Sequence, residues 1–104
     1  MKEQELDIQK LDPIIHERVR LAILVLLAES GSLDYNSLKK VLKTSDGNLV
    51  SHLRKLEDNG LISVTKSFKG RRPRTTYSIT DSGRARLSEY LAAMRQLLSR
   101  LDKN

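Results

Sequence analysis

The chain has 104 residues, 38% of them apolar, enough for one modest core and one domain. Nineteen Lys and Arg against thirteen Asp and Glu give a net charge of +6 and an isoelectric point near 9.8, which favours anionic partners. The absence of cysteine excludes disulfides, thiolate metal sites and cysteine nucleophiles, and it fits a cytoplasmic setting.

The N-terminus, MKEQELDIQKLDP, is charged and lacks an apolar h-region, so it does not read as a secretory signal. Residues 1–12 are expected to form a helical segment that belongs to a dimer interface. Asp12-Pro13 reads as an N-cap followed by proline at the first helical position. A helix is predicted over 13–29, with Ile15, Val19, Ala22, Ile23, Leu26 and Leu27 at helical spacing. The longest apolar run, Leu21 to Ala28, falls far short of the roughly 20 residues of a membrane span, so no membrane partner is expected.

Ser30-Gly31-Ser32 stops the first helix. Asp34 can cap a short second helix, Tyr35 to Leu42, with Leu38, Val41 and Leu42 on one face. Lys43 and Thr44 leave room only for a tight turn. Ser45 then caps a third helix, its side-chain oxygen accepting from the Gly47 or Asn48 amide. Leu49, Leu53 and Leu56 form the buried stripe of that helix, which runs to about Asn59, and Gly60 is placed to end it in the left-handed conformation.

Leu61 to Lys66 and Thr75 to Ile79 alternate and carry β-branched residues, which predicts a hairpin, with Lys69 to Arg74 as its loop. Residues 61–79 hold five basic residues and no acid, so the charge excess is concentrated here. Thr80 caps a final helix to about Leu101. Its Leu87, Leu91, Met94, Leu98 and Leu101 step by four, three, four, three, a coiled-coil seam that Tyr90, Ala93 and Leu97 widen. The seam extends beyond what a small three-helix core needs. It predicts a two-fold interface, with Leu6, Ile8 and Leu11 as cover; closing the domain's own core is the other use of such positions.

The order is helix, short helix, tight turn, helix, basic hairpin, long helix. The fold class is therefore mainly α with a small β-hairpin, a winged helix-turn-helix over residues 13–79 with a long C-terminal helix, 80–104, for dimerisation. A helix enters the major groove only if its outer face is small or polar and a scaffold buries the other face. The third helix meets this requirement, with Asp46, Gly47, Asn48, Ser51, His52 and Lys55 around the face opposite the leucines. Asn48 suits adenine, Ser51 donates or accepts, and His52 can donate to a purine. Gly47 permits close approach, and Asp46 stabilises the helix dipole or accepts from a cytosine amine. An ordinary solvated surface is the alternative for this face, and a packing role is the alternative for His52. His16, on the first helix, reads as surface or partly packed.

In the hairpin, Lys66, Lys69, Arg71, Arg72 and Arg74 put five charges within nine residues, a composition suited to phosphate contact and to a narrow minor groove. Two histidines without cysteine or a carboxylate pattern make no metal motif. No glycine-rich phosphate loop, carboxylate pair or triad is present, so neither catalysis nor a cofactor is expected.

The stretch Asp34 to Thr80 closely resembles the stand-alone winged-helix regulators related to the MarR and ArsR families, as does Arg18-Val-Arg-Leu-Ala-Ile-Leu before it. The strongest matches are Ser45-Asp46-Gly47-Asn48-Leu49, Ser51-His52-Leu53-Arg54-Lys55-Leu56-Glu57, Gly60-Leu61-Ile62 and Gly70-Arg71-Arg72-Pro73-Arg74-Thr75-Thr76-Tyr77. The resemblance implies a bacterial or archaeal transcription factor, usually a homodimeric repressor on double-stranded DNA. Residues 45–55, Arg54 among them, would read the major groove and residues 70–76 the minor groove. The chain departs from metal-sensing relatives, which often use cysteine. No residue pattern marks an effector pocket, so the effector is unknown. A winged helix that docks an acidic protein through its basic hairpin is the competing reading.

Overall fold

The computed structural model describes residues 5–102. Four helices, α1 (Arg18–Ser30), α2 (Tyr35–Leu42), α3 (Asp46–Asp58) and α4 (Asp81–Ser99), surround a small sheet of β1 (Ser32–Asp34), β2 (Ile62–Lys69) and β3 (Arg72–Ile79). The strand order is β1-β3-β2, with both pairings antiparallel. This is a winged helix fold with a long C-terminal helix.

α1 begins five residues later than Asp12-Pro13 suggests. Asp12 forms a local turn instead, accepting from the Ile14 amide at 2.9 Å, while Arg86 Nη2 of α4 lies 2.7 Å from Oδ2. Ile15 drops into the core, and the backbone resets at Glu17, whose extended conformation and carboxylate cap the Arg20 amide at 2.8 Å. Of the helix expected over residues 1–12, the described part contains one 3₁₀ turn, Ile8–Lys10, capped by Asp7. Residues 1–4 lie outside the described part.

The remaining caps follow the residue types. Asp34 accepts from Ser37 N at 2.8 Å, Ser45 from Asn48 N at 3.2 Å and Thr80 from Gly83 N at 2.9 Å. α3 closes in a Schellman motif: Gly60, at φ 72°, donates to Glu57 O and Leu61 donates to Leu56 O.

The core is Ile15, Val19, Ile23, Leu24, Leu27, Leu38, Leu49, Leu53, Leu56, Leu61, Ile62, Leu87 and Tyr90. Leu87 and Tyr90, expected at a two-fold interface, are instead taken into the chain's own core, and Leu91 and Met94 pack against it. Tyr90 is held there by a 2.7 Å hydrogen bond between its hydroxyl and His16 Nδ1. The seam divides along its length: beyond Met94, Leu98 is 52% and Leu101 82% exposed.

The hairpin also differs from expectation. Its strands run to Lys69 and Arg72, so the loop shrinks to Gly70-Arg71. Gly70 at φ 65° followed by a negative φ has the φ signs of a type II′ turn, which matches strand twist and lets the ladder persist to the tip. A third strand, β1, was hidden in the segment that stops α1; it pairs Ser32 with Ser78 and Asp34 with Thr76.

Gly83 is set by packing. A Cβ there would run into the Leu61 carbonyl oxygen and stand 2.9 Å from Ile79 Cγ1. Gly83→Ala is expected to destabilise the fold by about 3 kcal/mol, since the obstacle is backbone that cannot swing aside. Thermal denaturation at fixed protein concentration should show the midpoint falling by roughly 10–20 °C; an unchanged midpoint would contradict this packing.

Candidate nucleic-acid interface

The turn between α2 and α3 is three residues long, Lys43, Thr44 and the cap Ser45, and is locked by side chains from both helices. Lys43 adopts the left-handed conformation (φ 51°, ψ 45°), which redirects the chain at once. Lys39 Nζ donates to Thr44 O at 2.7 Å and lies 3.3 Å from Asp46 Oδ1; the Tyr35 hydroxyl donates to that same oxygen at 2.6 Å. The bond from Tyr35, and then those from Lys39, hold the Asp46 carboxyl below the usual range. Donating to Asp46 pushes the Tyr35 hydroxyl up to about 12.

Burial of Leu49, Leu53 and Leu56 turns Gly47, Ser51 and Arg54 directly outward. Asn48 and Lys55 flank them on one side and Val50 on the other, all exposed. Gly47 has no positive φ, and nothing lies within 4 Å of where its Cβ would stand. The fold itself makes no demand for glycine there. Asn48 Nδ2 donates to Thr44 Oγ1 at 2.7 Å.

His52 lies on the margin of that face. Its side chain is 16% exposed, with Nδ1 accepting from Arg20 Nη1 at 2.9 Å and standing 3.6 Å from Glu17 Oε1. Arg20 Nε also donates to the Ile14 carbonyl, so one guanidinium ties α3 to the turn that precedes α1.

In the hairpin, strand alternation separates two faces. Lys69 and Arg72 are cross-strand partners on the outer face, as are Ser67 and Arg74. Lys66 pairs with Thr75, and Phe68 with Pro73, on the face that carries Ile62 into the core and leaves Val64 half-buried. Arg74 Nε lies 3.5 Å from Asp34 Oδ2. The Asp34 carboxyl is pulled below its usual value, mainly by its hydrogen bonds with Ser37 and in smaller part by Arg74 and Lys69.

The model of the winged helix DNA-binding domain matches residues 19–98. The chain belongs to this family. The uncharacterized protein MJ0432 of Methanocaldococcus jannaschii is 36% identical over 89 residues, which cover 86% of this chain and 97% of the relative. The transcriptional regulator homologue from Pyrococcus horikoshii OT3 superposes with a TM-score of 0.84 at 33% identity, over 91% of this chain and 95% of that one. The solved structure of MarR matches with a TM-score of 0.76 and 19% identity, over 90% of this chain and 68% of its own, which shows a shared fold.

In a winged helix domain the β2–β3 hairpin is the wing. The expected wing cations are present at its exposed surface, but on paired strands rather than in a loop, and only Gly70 and Arg71 form the turn. Thr75 and Thr76 are half-buried at its root. Asp46 Oδ1 and His52 Nδ1 are engaged by protein partners. Val50, which no sequence reading singled out, shares the exposed face with Ser51 and Arg54; its place on the helical wheel was the available signal. Among the described residues no group of His, Cys, Asp or Glu is placed to hold a metal ion, and no helix is long and apolar enough to cross a membrane.

The Tyr35–Asp46 pair gives a pH signature. Because the folded pKa of Asp46 is lowered, its contribution to stability is present above the unfolded carboxylate range and lost as pH falls through the folded value. Because that of Tyr35 is raised, its contribution is complete below pH about 10 and declines toward about 12. Tyr35→Phe should move the Asp46 pKa upward toward an ordinary carboxylate, read from its side-chain carbon signal in an NMR titration. An Asp46 pKa that stays low in the variant would show that Tyr35 is not its main support.

Proposed function

We propose that the chain is a sequence-specific, double-stranded DNA-binding transcriptional regulator that works as a homodimeric repressor, occluding a promoter. The observation that carries this reading is the outward face of α3, small and polar at Gly47, Asn48 and Ser51, in a chain whose wing is basic and free of acids. The regulator homologue from Pyrococcus horikoshii, similar over almost the whole of both chains, supports it.

α3 is the recognition helix. Gly47 lets its first turn approach the groove, Ser51 reads a base edge, and Arg54 has the reach and fork for guanine O6 and N7. Asn48 exchanges its bond to Thr44 for the N6 and N7 of adenine, while Val50 suits a thymine methyl group. Lys55, Lys66, Lys69, Arg71 and Arg72 neutralise phosphates or enter the minor groove. Ser45, Asp46 and His52 hold the helix in place, and Arg74, Thr75 and Thr76 brace the root of the wing.

Residues 13–79 act as the DNA-binding unit and residues 80–104 as the dimerisation helix, with residues 1–12 as cover. Exposed Leu98 and Leu101, together with a cleft lined by Leu6, Ile8, Leu11, Ala93 and Leu97, support a two-fold contact there. Such a dimer sets two recognition helices in successive major grooves, about 34–36 Å apart.

Selection of bound duplexes from a random DNA pool, followed by salt titration of the best sequence, tests the reading. A palindromic preference and a steep fall in affinity with salt are expected. Arg72→Ala should weaken binding to most sequences alike and flatten the salt slope by about one. Asn48→Ala should remove about 1–3 kcal/mol of discrimination at a single base position. Binding that ignores both salt and sequence, or pull-down of an acidic protein that survives nuclease treatment in place of DNA, overturns it. For the dimer, light scattering should report two copies for the native chain and one for Leu98→Glu with Leu101→Glu, whose exposed positions leave the monomer core intact; two copies in the double variant would remove Leu98 and Leu101 from the interface.

A further inference from the structure

Phe68 is the only phenylalanine in the chain, and its side chain is 74% exposed two residues from the turn of the wing. The three tyrosines are all engaged: Tyr90 is buried, Tyr77 packs on the core and Tyr35 bonds Asp46. Isolated apolar side chains on a surface are ordinary. What distinguishes Phe68 is its setting. It lies on the face of β2 that carries Ile62 into the core, but beyond half-buried Val64, where that face is exposed. Its cross-strand partner is Pro73, so two apolar rings stand side by side at the tip.

Lys66 shares that face, Arg71 stands in the turn, and Lys69 and Arg72 flank the rings from the opposite face, all exposed, in a segment with no acid. The fold gains little from an aromatic there: the register of the hairpin is held by its full ladder and by the Gly70-Arg71 turn. Strand spacing of about 4.8 Å plus side chains makes a β-ribbon wider than a minor groove of roughly 6 Å. The ribbon therefore rides on the rim, and only tip side chains enter. The cations neutralise the phosphates on the rim, while the rings meet the apolar sugar walls and the edges of the base stack.

On the DNA-binding reading given above, we propose that Phe68, backed by Pro73, is an apolar wedge that the wing presses into the minor groove, opening a base step and bending the duplex. Specificity then includes the deformability of the DNA: pyrimidine–purine steps such as TA or CA, which unstack most easily, are preferred under the wing, although no polar group reads them.

The test uses the full chain and duplexes obtained from the random-pool selection, made with a TA step at the position the wing covers or with AA in its place. Anisotropy gives affinity, energy transfer between end labels gives the bend, and 2-aminopurine at the step reports unstacking. The native protein should bend the TA duplex, raise 2-aminopurine fluorescence and prefer TA over AA by about tenfold. Phe68→Ala, at an exposed position, should keep the native melting temperature and salt slope but lose the bend, the fluorescence rise and the step preference. Phe68→Leu should retain part of each. If the native protein and Phe68→Ala bind with the same bend and the same step preference, the wedge is wrong while the DNA-binding reading stands. If the native protein binds no duplex in a salt-dependent way, that reading fails, and the wedge with it.

Discussion

The ends of four elements meet at the carbonyls of Gly60 and Leu61, and the shape of the molecule depends on that junction. The Leu61 amide closes α3 through Leu56 O; the Leu61 carbonyl accepts from Thr80 N, and the Gly60 carbonyl accepts from Thr80 Oγ1 at 2.7 Å. The same hydroxyl oxygen caps α4 through Gly83 N. The end of α3, the start of β2, the end of β3 and the start of α4 are thus tied within a few ångströms. Gly83 leaves no space for them to drift. The wing cannot swing relative to α3 without breaking this junction, so the two surfaces proposed to touch DNA are offered in a fixed relation.

A second set of polar contacts orients the segment before α1. Asp12 meets Arg86, His16 meets Tyr90, and Glu17, Arg20 and His52 converge between α1 and α3. Magnitudes separate their role from that of the core. A hydrogen bond contributes about 1 kcal/mol net and an exposed ion pair at most about that, whereas each fully buried leucine or isoleucine contributes roughly 1.5–3 kcal/mol. Stability resides in the thirteen buried apolar side chains. The polar contacts decide direction: they set α3 at one angle to α1 and anchor the N-terminal segment on α4. A path of packed and bonded groups thereby joins the helix proposed for dimerisation to the helix proposed for recognition.

The charge distribution follows the same division. Two acidic groups near the candidate interface are engaged within the protein, Asp46 by Tyr35 and Lys39, Asp34 by Ser37 and Arg74. The wing itself carries no acid. Repulsion among its basic side chains weakens the hairpin, and the continuous ladder from Ile62–Ile79 to Lys69–Arg72 with its two-residue turn offsets it. The result is a stiff basic arm carrying one exposed aromatic ring.

Much of this was legible in the residue order because it is local. Asp34, Ser45 and Thr80 act as caps, Gly60 ends α3, and Leu49, Leu53 and Leu56 line one face; in each case the physical cause spans no more than a turn or two of chain. The sites of positive charge are also a property of the sequence. What the tertiary structure decided is every choice among partners distant in sequence. Asp12-Pro13 has the chemistry of a helix start, but Arg86 and the burial of Ile15 claim it for a turn. Ser32 to Asp34 is too short and polar to show as a strand until β3 lies beside it. A four-three repeat states that one face of α4 is apolar and is silent on what covers it, so only packing could assign Leu87 and Tyr90 to the chain's own core and leave Leu98 and Leu101 outside. The partner of His52 Nδ1 is decided likewise, by an arginine 32 positions away that no local pattern brings to it.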